Sequence, residues 1–407
     1  MSASNYDVVV VGAGALGSCT TRELASDHDV LLVEKGEVAR GAGGHAAGII
    51  SDWWFYIGEK PVGAANEIMH DFFDELDGTG QFEYNPRPFI RYLHSEDERE
   101  KWQAMTDELD VEYTKYYSNE EIEETWPDTL KLDDKYGAIV DERAGFIDPH
   151  TYVNTLADDA KERGADVRTH TEVTDILVED GAVTGVEVNG DETISADKVV
   201  ITAGTITREL VSDFVDIPTK SFTYSNVRIR IDKELPDDFP IAGPGLFWWR
   251  PETGGNLFIS GGEYWIDGQE GMSRTQPPRS PPEEYKLEIA EQLPKNIKWL
   301  DPEDIRYMSG SEHLCPDGVS ITRDGYPVID ELDDPSGLVI ADGMYGGVSL
   351  APAYATALRS LVEETDCPWS LDPFSADRFE DTSLDFDYDW VKDWPRNREE
   401  VPPTQED

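Results

Sequence analysis

The chain opens on an unbroken β-branched run, Tyr6 to Val11, the pattern of a strand buried on both faces of a parallel sheet. The run ends in Gly12-Ala13-Gly14-Ala15-Leu16-Gly17, and the spacing that follows predicts a helix to about Ala25. Asp29 to Glu34 reads as a second buried strand that closes on an acid, which completes a βαβ opening. Arg40 to Ile50 is rich in glycine and alanine. From Gln81 the pattern changes to alternating strands (Phe82 to Leu93) and a polar helix (Glu96 to Leu109), a first visit to a second domain. The chain returns at Gly145-Phe146-Ile147-Asp148-Pro149, where a helix from His150 to Arg163 is stopped by Gly164. Strands are predicted at Asp166 to His170, Thr174 to Glu179 and Val183 to Val188, with Asp180-Gly181 as the tight turn before the last. Asp197 to Thr202 is another buried parallel-type strand, ending at Ala203-Gly204.

The second domain resumes around Phe222 to Asp232 and runs through a Trp-rich strand near Phe247 to a Pro-rich loop, Gln276 to Pro282. A last return starts near Tyr326, with a strand at Gly337 to Ala341, the turn Asp342 to Gly347 and a closing helix from about Ala351 to Glu364. The tail from Asp381 is acidic and loop-like, and no internal repeat is present. The pattern predicts an α/β protein in two domains. A Rossmann-type dinucleotide-binding domain takes 1–80, 141–221 and 309–380; a discontinuous α+β substrate domain on a mostly antiparallel sheet takes 81–140 and 222–308; the tail is 381–407.

Charge narrows the partners. With 34 Lys+Arg against 85 Asp+Glu the formal net charge is −51. Such repulsion is tolerated where salt screens it, since the Debye length falls from about 10 Å at 0.1 M to about 3 Å at 1 M. The acids are spread along the whole chain, which points to a salt-rich cytoplasm rather than to one acidic binding face. Nucleic acid and anionic membrane surfaces are excluded as partners, being polyanions themselves. Cys19, Cys315 and Cys367 are too few and scattered for a disulfide framework or a metal site, so no metal is expected and a reducing, cytoplasmic location fits. No run of ~18 apolar residues and no basic leader precede the first strand, so a soluble, unprocessed protein is expected.

The glycine motif gains weight from its context, between a buried strand and a helix, with Glu34 at the spacing of an acid that hydrogen-bonds a ribose. Gly12 permits the tight turn, Gly14 removes a side chain that would block a diphosphate, and Gly17 lets helix and sheet pack closely. The amides of Ala15 and Leu16 and the helix dipole then face the anion, and a backbone site suits a chain with so few cations. A second small-residue segment, Arg40-Gly41-Ala42-Gly43-Gly44-His45-Ala46-Ala47-Gly48, follows directly, room for a ribityl chain and an isoalloxazine, so FAD is preferred over NAD.

At this point the sequence resembles the D-amino-acid oxidase, glycine oxidase and sarcosine oxidase family of FAD-dependent amine oxidoreductases. The resemblance rests on five places: Gly12 to Gly17 with Glu34; Gly41 to Gly48; Gly145 to Pro149 with its helix and Val173; Val199 to Gly204; and Asp324 to Ile329 followed by Gly337 to Pro352. It implies that Glu34, with Lys35 beside it, holds the ribose, that Val173 meets adenine through its backbone, and that Ala203 and Gly204 lie by the ADP half. It also implies that His45 lies near the flavin ring. The turn carrying Gly343, Gly346, Gly347, Val348 and Ser349 would then bring the closing helix to the pyrimidine end of the flavin.

The resemblance implies hydride transfer from the α-carbon of a small amine or amino acid to flavin N5, giving an imine that hydrolyses. Candidate catalytic residues are His45, Trp248, Arg250 and Tyr345; His45 reads equally as a loop histidine packed near the cofactor. Strand alternation in Phe247-Trp248-Trp249-Arg250-Pro251 puts Trp248 and Arg250 on one face. Arg250 is a candidate carboxylate clamp, or else half of a surface ion pair, and Arg228 with Arg230 forms a similar same-face pair. Trp53, Trp54, Phe55 and Tyr56 offer an aromatic wall or plain core packing.

Two departures matter. Glycine oxidases carry a carboxylate-binding arginine in a Gly-Leu-Arg-Pro pattern, where this chain reads His313-Leu314-Cys315-Pro316, and Cys315 falls near where sarcosine oxidases attach flavin covalently. Sarcosine oxidases also use a lysine to help oxygen accept electrons, and none occurs here between Lys233 and Lys286, so the acceptor is either O2 or a quinone or other carrier. The alternatives are a dehydrogenase of a 2-hydroxy acid or polyol, and a non-catalytic dinucleotide-binding subunit.

Overall fold

The computed structural model describes residues 5–52, 63–109, 113–222, 225–243, 247–252, 257–262, 283–310, 318–344 and 346–386. The opening run forms the strand Asn5–Val11, flanked in parallel by Val30–Val33 and by Glu192–Ile201. Asp166–Arg168 extends the sheet beyond the former and Leu338–Asp342 beyond the latter, again in parallel. Its unbroken hydrophobicity has a direct cause: alternate residues serve two cores. Val8, Val10, Val30 and Leu32 face the helices Ala15–Leu24, Gly63–Leu76, Pro149–Glu162 and Ala351–Glu363. Val9, Val11, Leu31 and Val33 face the layer built from the hairpin Val173–Glu179 and Ala182–Val188. The hairpin turns at Asp180 and Gly181, both at positive φ (52° and 79°), as a two-residue turn matched to strand twist requires. Helix Pro149–Glu162 begins with Asp148 accepting a hydrogen bond from the Thr151 amide, and Gly164 follows it at φ 115°.

One strand departs from the sequence reading. It begins at Glu192 rather than Asp197; its first half pairs antiparallel with Ala182–Val188 and its second half parallel with Leu338–Asp342. The first half is partly solvated, so polar residues interrupt it, and only the second half carries the apolar run.

The second sheet runs in the order Ile305–Gly310, Ser225–Ile231, Leu257–Gly262, Phe247–Pro251, Ile241–Gly243, Phe89–Tyr92, Ala138–Asp141 and Thr114–Tyr117. Its neighbours are antiparallel except Ile241–Gly243 with Phe89–Tyr92. The architecture is thus α/β, a Rossmann-type sheet joined to a mostly antiparallel one. Val227, Ile229 and Ile231 are buried in a core with Trp249 and Leu293, while Arg228 and Arg230 point to solvent. Helices Gly63–Leu76 and Glu283–Asn296 were passed over in the pattern reading. Among the described residues no helix is long and apolar enough to cross a membrane.

Candidate cofactor and substrate site

The site forms where the parallel strands end. Gly12 has φ 103°, and a Cβ there would lie 2.7 Å from the carbonyl oxygen of Thr202, so both dihedral and space demand glycine. At Gly17 a Cβ would come within 1.9 Å of the Gly12 carbonyl oxygen, so only glycine lets the helix lie this close to the turn. Gly14 differs: a Cβ there meets nothing within 4 Å. Its missing side chain leaves clear space before helix Ala15–Leu24, whose start has no side-chain cap and no acid in its first turn.

Glu34 is locked beside this turn, accepting hydrogen bonds from the amides of Ala13 (2.9 Å) and Gly36 (2.8 Å). Each oxygen keeps acceptor capacity for a ribose hydroxyl. The Thr171 amide donates to the Glu34 carbonyl at 2.8 Å, which brings the start of Val173–Glu179 to the same edge. Ala203 and Gly204 continue from Thr202, whose amide and hydroxyl both donate to the Val11 carbonyl at 2.9 Å.

The second glycine segment packs onto the first. A Cβ on Gly43 would stand 2.8 Å from the Ala15 nitrogen, and one on Gly44 would stand 1.9 Å from the Ala39 carbonyl oxygen. Gly41, Ala42 and His45 are half-buried along this stretch and Lys35 is exposed, and a Cβ on Gly41 meets nothing within 4 Å. On the far side, Gly343 and Gly346 turn at φ 75° and 72°. Gly347 donates to the Met344 carbonyl at 3.1 Å; Val348 and Ser349 are buried just before helix Ala351–Glu363. The Ser349 hydroxyl accepts from the Ser51 amide at 3.4 Å, so this turn meets the chain that leaves the glycine segment. Main-chain donors facing open space, with an acid fixed beside them, fit the diphosphate and ribose of FAD.

Residues 7–361 match the family model described as DAO, FAD dependent oxidoreductase. The chain belongs to this family. It is therefore an enzyme, an FAD-dependent oxidoreductase. Monomeric sarcosine oxidase of Bacillus sp. (strain B-0618) is 25% identical over 278 residues, covering 62% of this chain and 67% of that one. N-methyl-L-tryptophan oxidase of Yersinia pestis (strain Pestoides F) is 24% identical over 409 aligned residues, 92% of this chain and 100% of that one. The crystal structure of glycine oxidase from Geobacillus kaustophilus superposes with a TM-score of 0.76 at 22% identity, covering 92% of this chain and 99% of that one, and shows the shared fold.

In this DAO-family enzyme the second sheet meets the glycine segment through the strand Phe247–Pro251. Trp248 is half-buried against Ile49, Phe146 and Ile241. Trp249 points into the opposite core, stacked on Phe239 with ring centroids 6.4 Å apart, so the alternation holds. Arg250 shares the Trp248 face but is buried, and it pairs with Glu252 at 2.9 Å away from solvent. Arg228 is exposed, 4.0 Å from the other oxygen of Glu252. Tyr345, the Trp53–Tyr56 aromatics, Cys315 and the Pro-rich stretch lie outside the described residues.

The sequence reading missed a buried polar cluster beneath the Ser349 turn. Asp141, at the end of Ala138–Asp141, accepts from the Ser51 hydroxyl (2.6 Å), the Asp52 amide (2.8 Å) and the Arg143 amide (3.1 Å). Asp52 in turn lies 2.7 Å from Nε2 of His70, with both side chains buried. Burial, and then the neighbouring Asp52 charge, push the Asp141 carboxyl up to about 6. Asp342 was also missed; it accepts from Ser320, Thr219 and the Gly343 amide, and burial raises its pKa. The one signal for either was an acid closing an apolar strand, Ala-Ile-Val-Asp and Leu-Val-Ile-Ala-Asp.

Proposed function

We propose that this enzyme oxidises a small amine or amino acid at the carbon bearing nitrogen, and that the imine product hydrolyses in water. Bound FAD supplies the hydride acceptor, its N5. Gly12 to Gly17 and Glu34 with Lys35 hold the ADP half together with Val173, Ala203 and Gly204. Gly41 to His45 line the flavin, and Gly343, Tyr345, Gly346, Gly347, Val348 and Ser349 make the turn at its pyrimidine end. The second sheet, with 81–140 and 222–308, is the substrate domain. Its task is to hold the neutral amine against the flavin in a dry pocket, because proximity and desolvation supply most of what hydride transfer requires.

The observation that carries this reading is Trp248, half-buried against Ile49 immediately after the glycine segment, an aromatic wall of the kind that receives an amine or N-methyl group. The names of the relatives, oxidases of sarcosine, N-methyl-L-tryptophan and glycine, point to the same substrate class. The test is anaerobic bleaching of the flavin absorbance in molar salt with sarcosine, glycine, N-methyl-L-tryptophan, D-alanine and lactate. Bleaching by one of the four amines is expected; bleaching by lactate alone overturns the reading. Re-oxidation by air against a soluble quinone then separates oxidase from dehydrogenase.

A further inference from the structure

Arg250 reaches from the second sheet into the glycine segment. Its side chain is 1% exposed. Nε donates to the Ala47 carbonyl at 2.6 Å, and Nη1 donates both to the Pro251 carbonyl and to Glu252 Oε1, each at 2.9 Å. The guanidinium carbon stands 4.9 Å from the centroid of the Phe146 ring, and Phe146 is paired with Ile49 in a short antiparallel ladder.

A guanidinium grips a carboxylate through two N–H groups on adjacent nitrogens. Both such edges draw on Nε or Nη1, and the hydrogens of these two nitrogens are directed at Ala47, Pro251 and Glu252, so neither edge is whole. The bonds that remain are ones a loop needs. Gly48 turns at φ 69°, with its carbonyl accepting from the Ile147 amide at 2.8 Å. Gly43 abuts the Ala15 nitrogen at the start of the nucleotide helix. Between these anchors the Ala47 carbonyl is fastened by Arg250.

We propose that Arg250 is a positioning residue that holds the 41–48 segment in the conformation that receives FAD, rather than the clamp for a substrate carboxylate. The inference rests on the reading of Gly41 to His45 as the flavin-lining stretch. Removing the side chain leaves a half-buried carbonyl without this donor and Glu252 with only the more distant Arg228, so the loop relaxes and cofactor retention falls. A lysine keeps the charge and one donor, and restores part of the effect.

The test compares wild type, Arg250→Met and Arg250→Lys in molar salt. FAD affinity is measured by reconstitution of the apoprotein, and the visible flavin spectrum is recorded for each. The expected result is at least tenfold weaker FAD binding for Arg250→Met, with a shifted flavin spectrum, and an intermediate affinity for Arg250→Lys. Wild-type FAD affinity and spectrum in both variants, with a raised KM for sarcosine or glycine, overturns the proposal in favour of a clamp. Should Arg250→Met not fold, Arg250→Lys decides: affinity weakened threefold or more supports the proposal, and unchanged affinity overturns it. Because the readout is FAD binding, the outcome stands apart from whether any amine is oxidised; a wild type that binds FAD but bleaches with no amine sinks the proposed function alone.

Discussion

The two ends of the site handle charge in opposite ways. At the diphosphate end, Gly12 and Gly17 pack the turn tightly while Gly14 leaves an uncapped helix start facing open space. At the junction with the second sheet, the chain instead buries ionisable side chains: Arg250 beside a half-buried Glu252, Asp52 with His70, and Asp141 under Ser51. Main-chain donors carry no net charge and do not titrate, so in a chain of net charge −51 the first arrangement, the glycine turn itself, does not change with pH. The second depends on protonation state and on each partner staying in place, which makes it the end that a single substitution or a pH change perturbs.

The largest effect is expected from filling the space before the nucleotide helix. Gly14→Val should weaken FAD binding by about 100-fold, some 2.7 kcal/mol, while the melting temperature of the apoprotein stays within about 2 °C; equal losses in both would mean the glycine serves packing instead. Next, Glu34→Gln removes a charged acceptor from the Ala13 and Gly36 amides and from the ribose that the proposed site would hold, and titration of the apoprotein with FAD should show about tenfold lower affinity, near 1.4 kcal/mol.

The junction is sharpened by pH. The Asp141 carboxyl is held up to about 6 against an ordinary value of 3.8, so between these values the folded protein binds more protons than the unfolded chain. Its contribution is therefore fully present below about pH 4 and is lost as pH rises through 6. Urea midpoints of wild type relative to Asp141→Asn should fall across that window by the equivalent of roughly 1–3 kcal/mol; parallel curves would show that Asp141 does not titrate there. The smallest effect should come from Arg228→Gln, an exposed cation at 4.0 Å from Glu252. A change in urea stability under about 0.5 kcal/mol is expected; a larger one would mean that burial is not what separates Arg250 from its neighbour.

The nucleotide end was legible because its signals are local. Two-sided burial writes a continuous apolar run into Val8 to Val11, and steric necessity writes glycine at residues 12 and 17. The junction was not, because alternation assigns Trp248 and Arg250 to one face without saying what covers that face. Asp141 meets Ser51 across 90 positions and Arg250 meets Ala47 across 203, contacts that no local pattern encodes. The early start at Glu192 was hidden for a related reason, since a half-wet strand next to a hairpin reads as loop.

The segment from Gly41 to Gly48 is held at Gly43 by the nucleotide helix and at Ala47 by the second sheet. On the proposed roles of this strand and of Arg250, an engineer who exchanges Phe247–Pro251 to admit a bulkier amine would loosen the coenzyme at the same stroke. Selectivity and prosthetic-group retention would then be tied through one peptide unit, and variant libraries there should keep position 250 constant.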